Sequence, residues 1–181
     1  MANYAIANST VNGFGSSQAA MTTTYKTLCC VSASTQANVT QGAALRRGKL
    51  YDILVGTNGT PADNELEFVV QRATITTSGS AWAGSLSSIS SGMSLDPADV
   101  GMGGFTAVNS SAEGQVSLIS IPNPWYISLN QRASFRWVAA PGSEIVYPAL
   151  SSATGGGGLV LQGRSAAYTG TATGTILVSE Q

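Results

Sequence analysis

The chain has 181 residues, only 9% of them are charged, and the formal net charge is −1. A typical globular domain has roughly 25% charged residues, so hydroxyls, amides and small side chains must cover this surface. Serine and threonine together number 42, and glycine adds 21. Because net charge normally keeps soluble proteins apart, this composition favours a protein that packs against copies of itself or a partner. A weakly charged monomer is the alternative.

Several function classes conflict with this composition. The eight basic residues are scattered and form no stripe of the kind that nucleic-acid binding requires. The chain has no histidine, so Ser-His-Asp and Cys-His catalytic sets cannot be built. The two cysteines, Cys29 and Cys30, are adjacent and have no metal-ligand spacing. We therefore expect no metal, no cofactor and no nucleic acid, and we interpret the cysteines as ordinary strand residues, at least one of them buried.

Membrane and export signals are also missing from the sequence pattern. No apolar run approaches the roughly 18 residues that a membrane span needs. The first 15 residues have neither the basic start nor the apolar centre of a secretory signal. We expect no membrane partner and synthesis in a cytoplasm.

Residues 1–23 are small and polar and show no clear period, which predicts an N-terminal arm that orders only against a partner. Its larger apolar side chains are interface candidates: Tyr4, Ile6 and Phe14.

From residue 25 onward, short β-rich runs recur between clusters of glycine, proline, asparagine and aspartate. The runs are 25–34, 49–55, 65–77, 115–121, 125–129, 133–139, 144–147, 159–168 and 173–178. Almost no helical period interrupts them. The pattern predicts one all-β domain over residues 24–181, a jelly-roll-type β-sandwich of about eight antiparallel strands with an extended N-terminal arm. A seven-stranded immunoglobulin-like sandwich is the alternative, although the Cys-Trp-Cys spacing is absent.

Alternation within two runs assigns their faces. Apolar side chains alternate with acidic ones at the start of the 65–77 run, which is typical of a half-buried strand. Ile75 falls in the opposite phase, so a bulge is expected near Gln71 and Arg72. Phe135 and Trp137 are expected to face the core.

Two segments rich in glycine or serine are predicted to be connections between strands. Residues 78–112 predict a long connection with a few apolar anchors. The run Gly155–Gly158 lacks the Gly-Lys-Ser/Thr of a phosphate loop and predicts a flexible loop tip.

Carboxylate pairs are the only catalytic candidates, because such a pair can hydrolyse a glycoside. The closest in sequence are Asp96 with Asp99 and Asp63 with Glu65. An aspartate before proline at a turn is usually a cap, so we expect Asp96 to be structural and the chain not to be an enzyme.

Aromatic side chains and arginines supply the remaining interface candidates. Trp82 lies in a segment rich in serine and glycine, and Trp125 lies at a loop-to-strand junction beside Tyr126, where the two could form a sugar platform. The arginines lie on or beside predicted strands of a charge-poor chain: Arg132, Arg136 and Arg164. They predict either contacts between subunits or a solvated strand face.

Five stretches of the sequence resemble a family of small structural proteins of tailed bacteriophages. They are LRRGKLYDILVGT (45–57), NGTPADN (58–64), LDPAD (95–99), NQRASFRWVAAPG (130–142) and RSAAYTGTATG (164–174). The family is that of jelly-roll capsid decoration, or cement, proteins. The resemblance extends over roughly residues 25–179 and rests on turn and strand motifs, not on a catalytic signature.

The resemblance implies a virion protein on the surface of the phage head. It implies a homo-oligomer, expected to be a trimer, that clamps neighbouring major capsid proteins. A carbohydrate-binding or receptor-binding module of a phage tail or virion surface is the alternative. A tail or neck structural protein is a third possibility.

Overall fold

The computed structural model describes twelve parts of the chain. They are residues 3–7, 19–32, 48–58, 60, 62–75, 93–94, 107–108, 116–118, 124–147, 151–152, 155–165 and 171–180. Phe14 and Trp82, and the carboxylate pair at 96 and 99, lie outside the described residues.

The described residues form strands, turns and no helix, and this confirms the all-β prediction. The strands are β1 (Asn3–Ala7), β2 (Ala19–Ala20), β3 (Lys26–Ser32), β4 (Gly48–Asn58), β5 (Glu65–Ile75), β6 (Met93–Ser94), β7 (Ala107–Val108), β8 (Val116–Leu118), β9 (Trp125–Asn130), β10 (Phe135–Val138), β11 (Ile145–Tyr147), β12 (Ser151–Ser152), β13 (Gly155–Arg164) and β14 (Thr171–Glu180).

These strands form two sheets in which every described pairing is antiparallel. The first sheet has the order β10-β4-β14-β1-β6, with β11 beside β4 and β2 beside β14. The second has the order β7-β3-β13-β5-β8, with β12 beside β13 and β9 beside β5. The chain passes from β3 in the second sheet to β4 in the first and back to β5, which is consistent with a β-sandwich.

Side chains from both sheets form one apolar core. Its largest fully buried members are Tyr4, Leu28, Leu50, Ile53, Leu66, Phe68, Tyr147, Leu159, Leu161 and Ile176. Phe135 and Trp137 are half-buried and pack against this core, as their alternation predicted. Cys29 is buried in β3, where its thiol donates to the carbonyl of Gly174 at 3.2 Å.

The first strand is an integral part of the first sheet. β1 pairs with β14 over five residues, and Tyr4 and Ile6 are both buried in the core. Asn3–Ala7 therefore does not form an arm that needs a partner for order, because its backbone and its apolar side chains are satisfied within the chain. Ala19–Ala20 also pairs with β14, which extends the sheet into the segment expected to be an arm.

The glycine run at Gly155–Gly158 is a strand, so the prediction of a loop tip was wrong. Gly156, Gly157 and Gly158 pair with successive residues of β5 from Ile75 to Ala73. Ladder hydrogen bonds use backbone atoms alone, so a glycine run can pair when a longer strand lies beside it.

The turn between β10 and β11 shows why its sequence is Pro141-Gly142. Ser143 N donates to Ala140 O at 2.8 Å, which closes the turn, and Gly142 has φ of +84°. A type II turn favours proline at its second position and needs positive φ at its third, where glycine has no steric cost. After this turn β11 continues the pairing with β4 where β10 ends, at Leu50 to Gly48.

Candidate functional site

The two outer faces of the sandwich point in opposite directions, and the candidate residues divide between them and the core. Tyr4, Ile6 and Trp125 are in the core, with Trp125 only 9% exposed. The three candidate arginines have exposed side chains. Arg136 lies on the outer face of the first sheet and Arg164 on that of the second.

The outer face of the first sheet has small and apolar side chains in cross-strand rows. One row runs Val138, Asp52, Leu177 and Ala5, and the next runs Arg136, Leu54, Thr175 and Ala7. We call this surface the assembly face, and it is defined by these eight residues together with Thr173. Leu54 is 46% exposed and Val138 is 58% exposed, which are large fractions for aliphatic side chains on a strand.

A single ion pair neutralises the assembly face. Arg136 Nε lies 3.1 Å from both carboxylate oxygens of Asp52, and its Nη2 lies 2.5 Å from Oδ2. Asp52 is 4% exposed whereas Arg136 is 63% exposed, so the carboxylate is covered by the guanidinium that reaches over it. The pair raises the pKa of Arg136, chiefly through these hydrogen bonds. The face thus has no net charge from the residues that define it.

A bulge in β4 explains why Leu50 lies in the core although Asp52, two residues farther on, lies on the assembly face. Leu177 pairs with Asp52 and Val178 pairs with Leu50, so Tyr51 is an extra residue in β4. The bulge changes the phase of the strand, and Asp52 joins Leu54 on the outer side while Leu50 and Ile53 stay in the core. The run of alternating residues in the sequence does not reveal this shift.

An open groove of about 360 Å³ lies where the assembly face meets the turn after β9. Leu54, Thr173 and Thr175 line it on one side, and Arg132 and Ser134 line it on the other. Arg132 pairs with Asp63 at 2.8 Å, and both side chains are mostly exposed. A pair this exposed contributes little to stability.

The outer face of the second sheet is partly covered and partly exposed. Val69, Val160, Gln162 and Thr27 alternate with core residues on their strands and are nevertheless buried. On the neighbouring strand β9, Tyr126 lies directly across from Val69 and is 52% exposed. The expected platform of two aromatic side chains therefore does not form, because Trp125 points into the core beside Phe135, with ring centroids 6.4 Å apart.

Glu67 organises the exposed part of this face. The hydroxyl of Tyr25 donates to its Oε2 at 2.9 Å, and Arg164 Nε donates to the same oxygen. The guanidinium carbon of Arg164 lies 4.8 Å from the centre of the Tyr25 ring. The hydrogen bond from Arg164, followed by those from Tyr25 and Tyr126, lowers the pKa of Glu67 although burial opposes the shift. Burial and then Glu67 raise the pKa of Tyr25 to about 12.

The three candidate arginines are thus alike in one respect that the sequence did not predict. Each pairs with a carboxylate from a strand or loop far away in the sequence: Arg132 with Asp63, Arg136 with Asp52 and Arg164 with Glu67. Whether any of them also contacts another subunit stays a prediction.

The described residues have neither a metal-ligand cluster nor a membrane-spanning helix. They contain no group of three or more cysteine, aspartate and glutamate side chains that could hold a metal ion. They also contain no helix that is long and apolar enough to cross a membrane.

Comparisons of the chain with protein-family models, with curated proteins and with solved structures found no match.

Proposed function

We propose that this chain is a structural virion protein that binds the outside of a phage head and stabilises the capsid lattice by clamping neighbouring major capsid proteins. It acts as a homo-oligomer, for which we propose a trimer, and needs no cofactor. The observation that carries the proposal is the assembly face, a regular sheet surface of threonine, alanine and aliphatic side chains with one internally neutralised ion pair.

The assembly face has the properties of a protein-binding surface. Charged residues are depleted at the centre of protein interfaces, and arginine is enriched there. Leu54 and Val138 project from adjacent strands of this face and remain exposed in the isolated chain. Burying aliphatic side chains of this size is worth about 1.5–3 kcal/mol each when they start fully exposed, so their remaining exposed halves contribute roughly 1 kcal/mol each.

Such a modest contribution per copy suits a protein that binds a lattice. Several linked copies convert weak single contacts into tight overall binding, provided that their geometry allows simultaneous contact. A protein that binds the assembled shell and not its free subunits stabilises the shell by mass action. The low charge of the chain supports this role, because a decorated surface holds copies close together.

The order of the strands supports the jelly-roll part of the proposal. The eight principal strands follow the orders β1-β14-β4-β10 in the first sheet and β3-β13-β5-β9 in the second. Successive strands of the chain alternate between the sheets except at β5 and β9, which are neighbours in the second sheet. This is the arrangement that two interlocked Greek keys produce, and we propose the jelly roll on that basis.

The test is cosedimentation of the purified protein with phage heads that lack it, together with the solution mass of the free protein. We expect saturable binding at a fixed ratio to the major capsid protein, and heads that withstand higher temperature when decorated. Leu54→Ser combined with Val138→Ser should weaken head binding by about tenfold or more per copy.

Tyr126→Ser is the matched control, because Tyr126 is exposed to a similar degree but lies on the opposite sheet. It should leave head binding unchanged, and thermal melts should show that all variants fold. If the wild-type chain does not bind heads, or if the double variant binds as well as the wild type, the proposal is wrong.

A further inference from the structure

The outer face of the second sheet has a strip of polar side chains that the proposed role on the capsid does not use. On β9, Tyr126, Ser128 and Asn130 occupy alternate positions and all three are exposed. On β5, Glu67 pairs with Ser128 and Glu65 pairs with Asn130. We call these five residues the polar strip.

Hydrogen bonds within the strip fix its geometry before any ligand arrives. Ser128 Oγ donates to Glu65 Oε1 at 2.5 Å, and Asn130 Oδ1 accepts from the backbone N–H of Arg132 at 2.9 Å. Glu67 is held by Tyr25, Arg164 and Tyr126. Side chains that are already ordered lose less entropy on binding, which favours affinity for a small ligand.

The groups on or beside the polar strip that can still bind a ligand include both hydrogen-bond donors and hydrogen-bond acceptors. Glu65 has its second carboxylate oxygen as an acceptor, and the amide nitrogen of Asn130 is a donor. The terminal nitrogens of Arg164 are additional donors, and its side chain is 43% exposed. An exposed tyrosine ring, Tyr126, lies at one end of the strip and supplies a flat apolar surface.

At the other end, an open groove of about 350 Å³ extends the strip. Asp63 and Asn64 line it opposite Asn130, so carboxylate and amide groups continue along its length. The groove is shallow and open to solvent, unlike the enclosed cavities that hold cofactors.

We propose that the polar strip binds a neutral carbohydrate. A sugar ring has an apolar face of C–H groups that can stack on Tyr126, and hydroxyls that each donate and accept hydrogen bonds. The mixture of carboxylate, amide and guanidinium groups on the strip satisfies both functions of a hydroxyl.

Charge decides against acidic sugars. Among the described residues, the strip and its groove have three carboxylates, Asp63, Glu65 and Glu67, and arginines pair with two of them: Arg132 with Asp63 and Arg164 with Glu67. The surplus negative charge would repel a uronic or sialic acid. The ligand class is therefore neutral hexoses or N-acetylhexosamines and their oligomers.

The location of the strip is compatible with the proposed function but independent of it. The assembly face and the polar strip lie on the outer sides of different sheets, which face opposite ways in a sandwich. A chain bound to a head through its assembly face would present the strip to the surroundings.

Saturation-transfer difference NMR on the full chain tests the inference. The probes are the methyl glycosides of glucose, galactose, mannose and N-acetylglucosamine, with methyl glucuronide as the acidic comparison. We expect transfer to at least one of the four neutral glycosides and none to the glucuronide. Tyr126→Ala should raise the Kd by about tenfold, whereas Tyr126→Phe should keep most of the affinity because it keeps the ring.

Two controls separate this proposal from the capsid proposal. Leu54→Ser with Val138→Ser should leave sugar binding unchanged, and Tyr126→Ala should leave head binding unchanged. An absence of transfer to all four neutral glycosides, or equal transfer in the wild type and Tyr126→Ala, would overturn the inference without bearing on head binding.

Discussion

Replacing Gln131 by alanine should destabilise the chain by about 3 kcal/mol. Gln131 is fully buried in the turn after β9, and its side chain joins two other segments. Its Oε1 accepts from the backbone N–H of Ala62 at 3.0 Å, and its Nε2 donates to Ser165 Oγ at 3.2 Å. Ser165 Oγ in turn donates to the carbonyl of Glu65 at 2.7 Å, so the loop before β5, the turn after β9 and the end of β13 are linked.

The magnitude follows from what the substitution removes. Two hydrogen bonds contribute about 1 kcal/mol each, and the lost methylene burial with an unfilled cavity adds about 1 kcal/mol more. In a protein of this size each kcal/mol lowers Tm by about 2–4 °C, so the expected decrease is about 6–12 °C.

Urea unfolding and thermal melts followed by circular dichroism measure both quantities. Gln131→Met is the matched control, because methionine is similar in volume but makes neither hydrogen bond. We expect it to lose about 2 kcal/mol and Gln131→Ala to lose more. If Gln131→Met is as stable as the wild type, the buried hydrogen bonds do not stabilise this end of the sandwich and the reasoning is wrong.

Two further predictions concern the core and the ionisable cluster around Glu67. Gly48→Ala should destabilise the chain by about 1–3 kcal/mol in the same assays. A Cβ at this position would lie 1.9 Å from the Tyr147 hydroxyl in a fully packed site. Unchanged stability of the variant would contradict this packing. The free energy of unfolding, measured by urea titration across pH, should fall at both extremes. Because folding lowers the pKa of Glu67, this group stabilises the fold at pH values above the pKa that it has in the unfolded chain. That stabilisation is lost as the pH falls through the lowered pKa of the folded chain. Because folding raises the pKa of Tyr25 from 10.0 to about 12, this group stabilises the fold below pH 10. That stabilisation is lost between pH 10 and 12. Glu67→Gln should flatten the acid arm and Tyr25→Phe the alkaline arm, and unchanged profiles would exclude the cluster as their source.

The strands with strong alternation or β-branched content could be predicted from the sequence. The predicted runs at 49–55, 65–77 and 125–129 correspond to β4, β5 and β9, with ends within three residues. In β5 and β9 apolar side chains occupy every second position at the start of the strand, so local pattern and final burial agree there, whereas the bulge in β4 buries Leu50 out of phase with Ile53 and Val55. Most of the sheet architecture follows from such segments.

Segments that depend on a distant partner could not be predicted in this way. Asn3–Ala7 is short and has small residues, and it forms a strand because β14 supplies a neighbour. The bulge expected near Gln71 and Arg72 is absent from the pairing of β5 with β13, which continues without a shift. The shifts lie instead at Leu161/Gln162 and at Leu177/Val178, where adjacent strands twist against each other.

The candidate surfaces were predicted only in part. The sequence identified the three arginines, but not their carboxylate partners, because the two members of each pair lie at least 69 residues apart. The platform of Trp125 and Tyr126 that the carbohydrate-binding alternative required does not form, since the two side chains point to opposite faces of β9. Whether an aromatic side chain at the start of a strand is buried depends on which face of the sheet packs against the core. The sequence around Trp125 does not indicate which face that is.

The positions of β13 and β14 have a consequence for how the chain folds. β14 lies between β4 and β1, and β13 lies between β3 and β5, so the two last strands are interior strands of the two sheets. Strands β1, β3, β4 and β5 are therefore synthesised well before β13 and β14, the partners with which they pair, and few local pairings can form before then. Non-local pairing of this kind must overcome a large loop-closure entropy, so folding is slow and follows the synthesis of β14. During that interval the unpaired edges of β3, β4 and β5 are open to pairing with other chains.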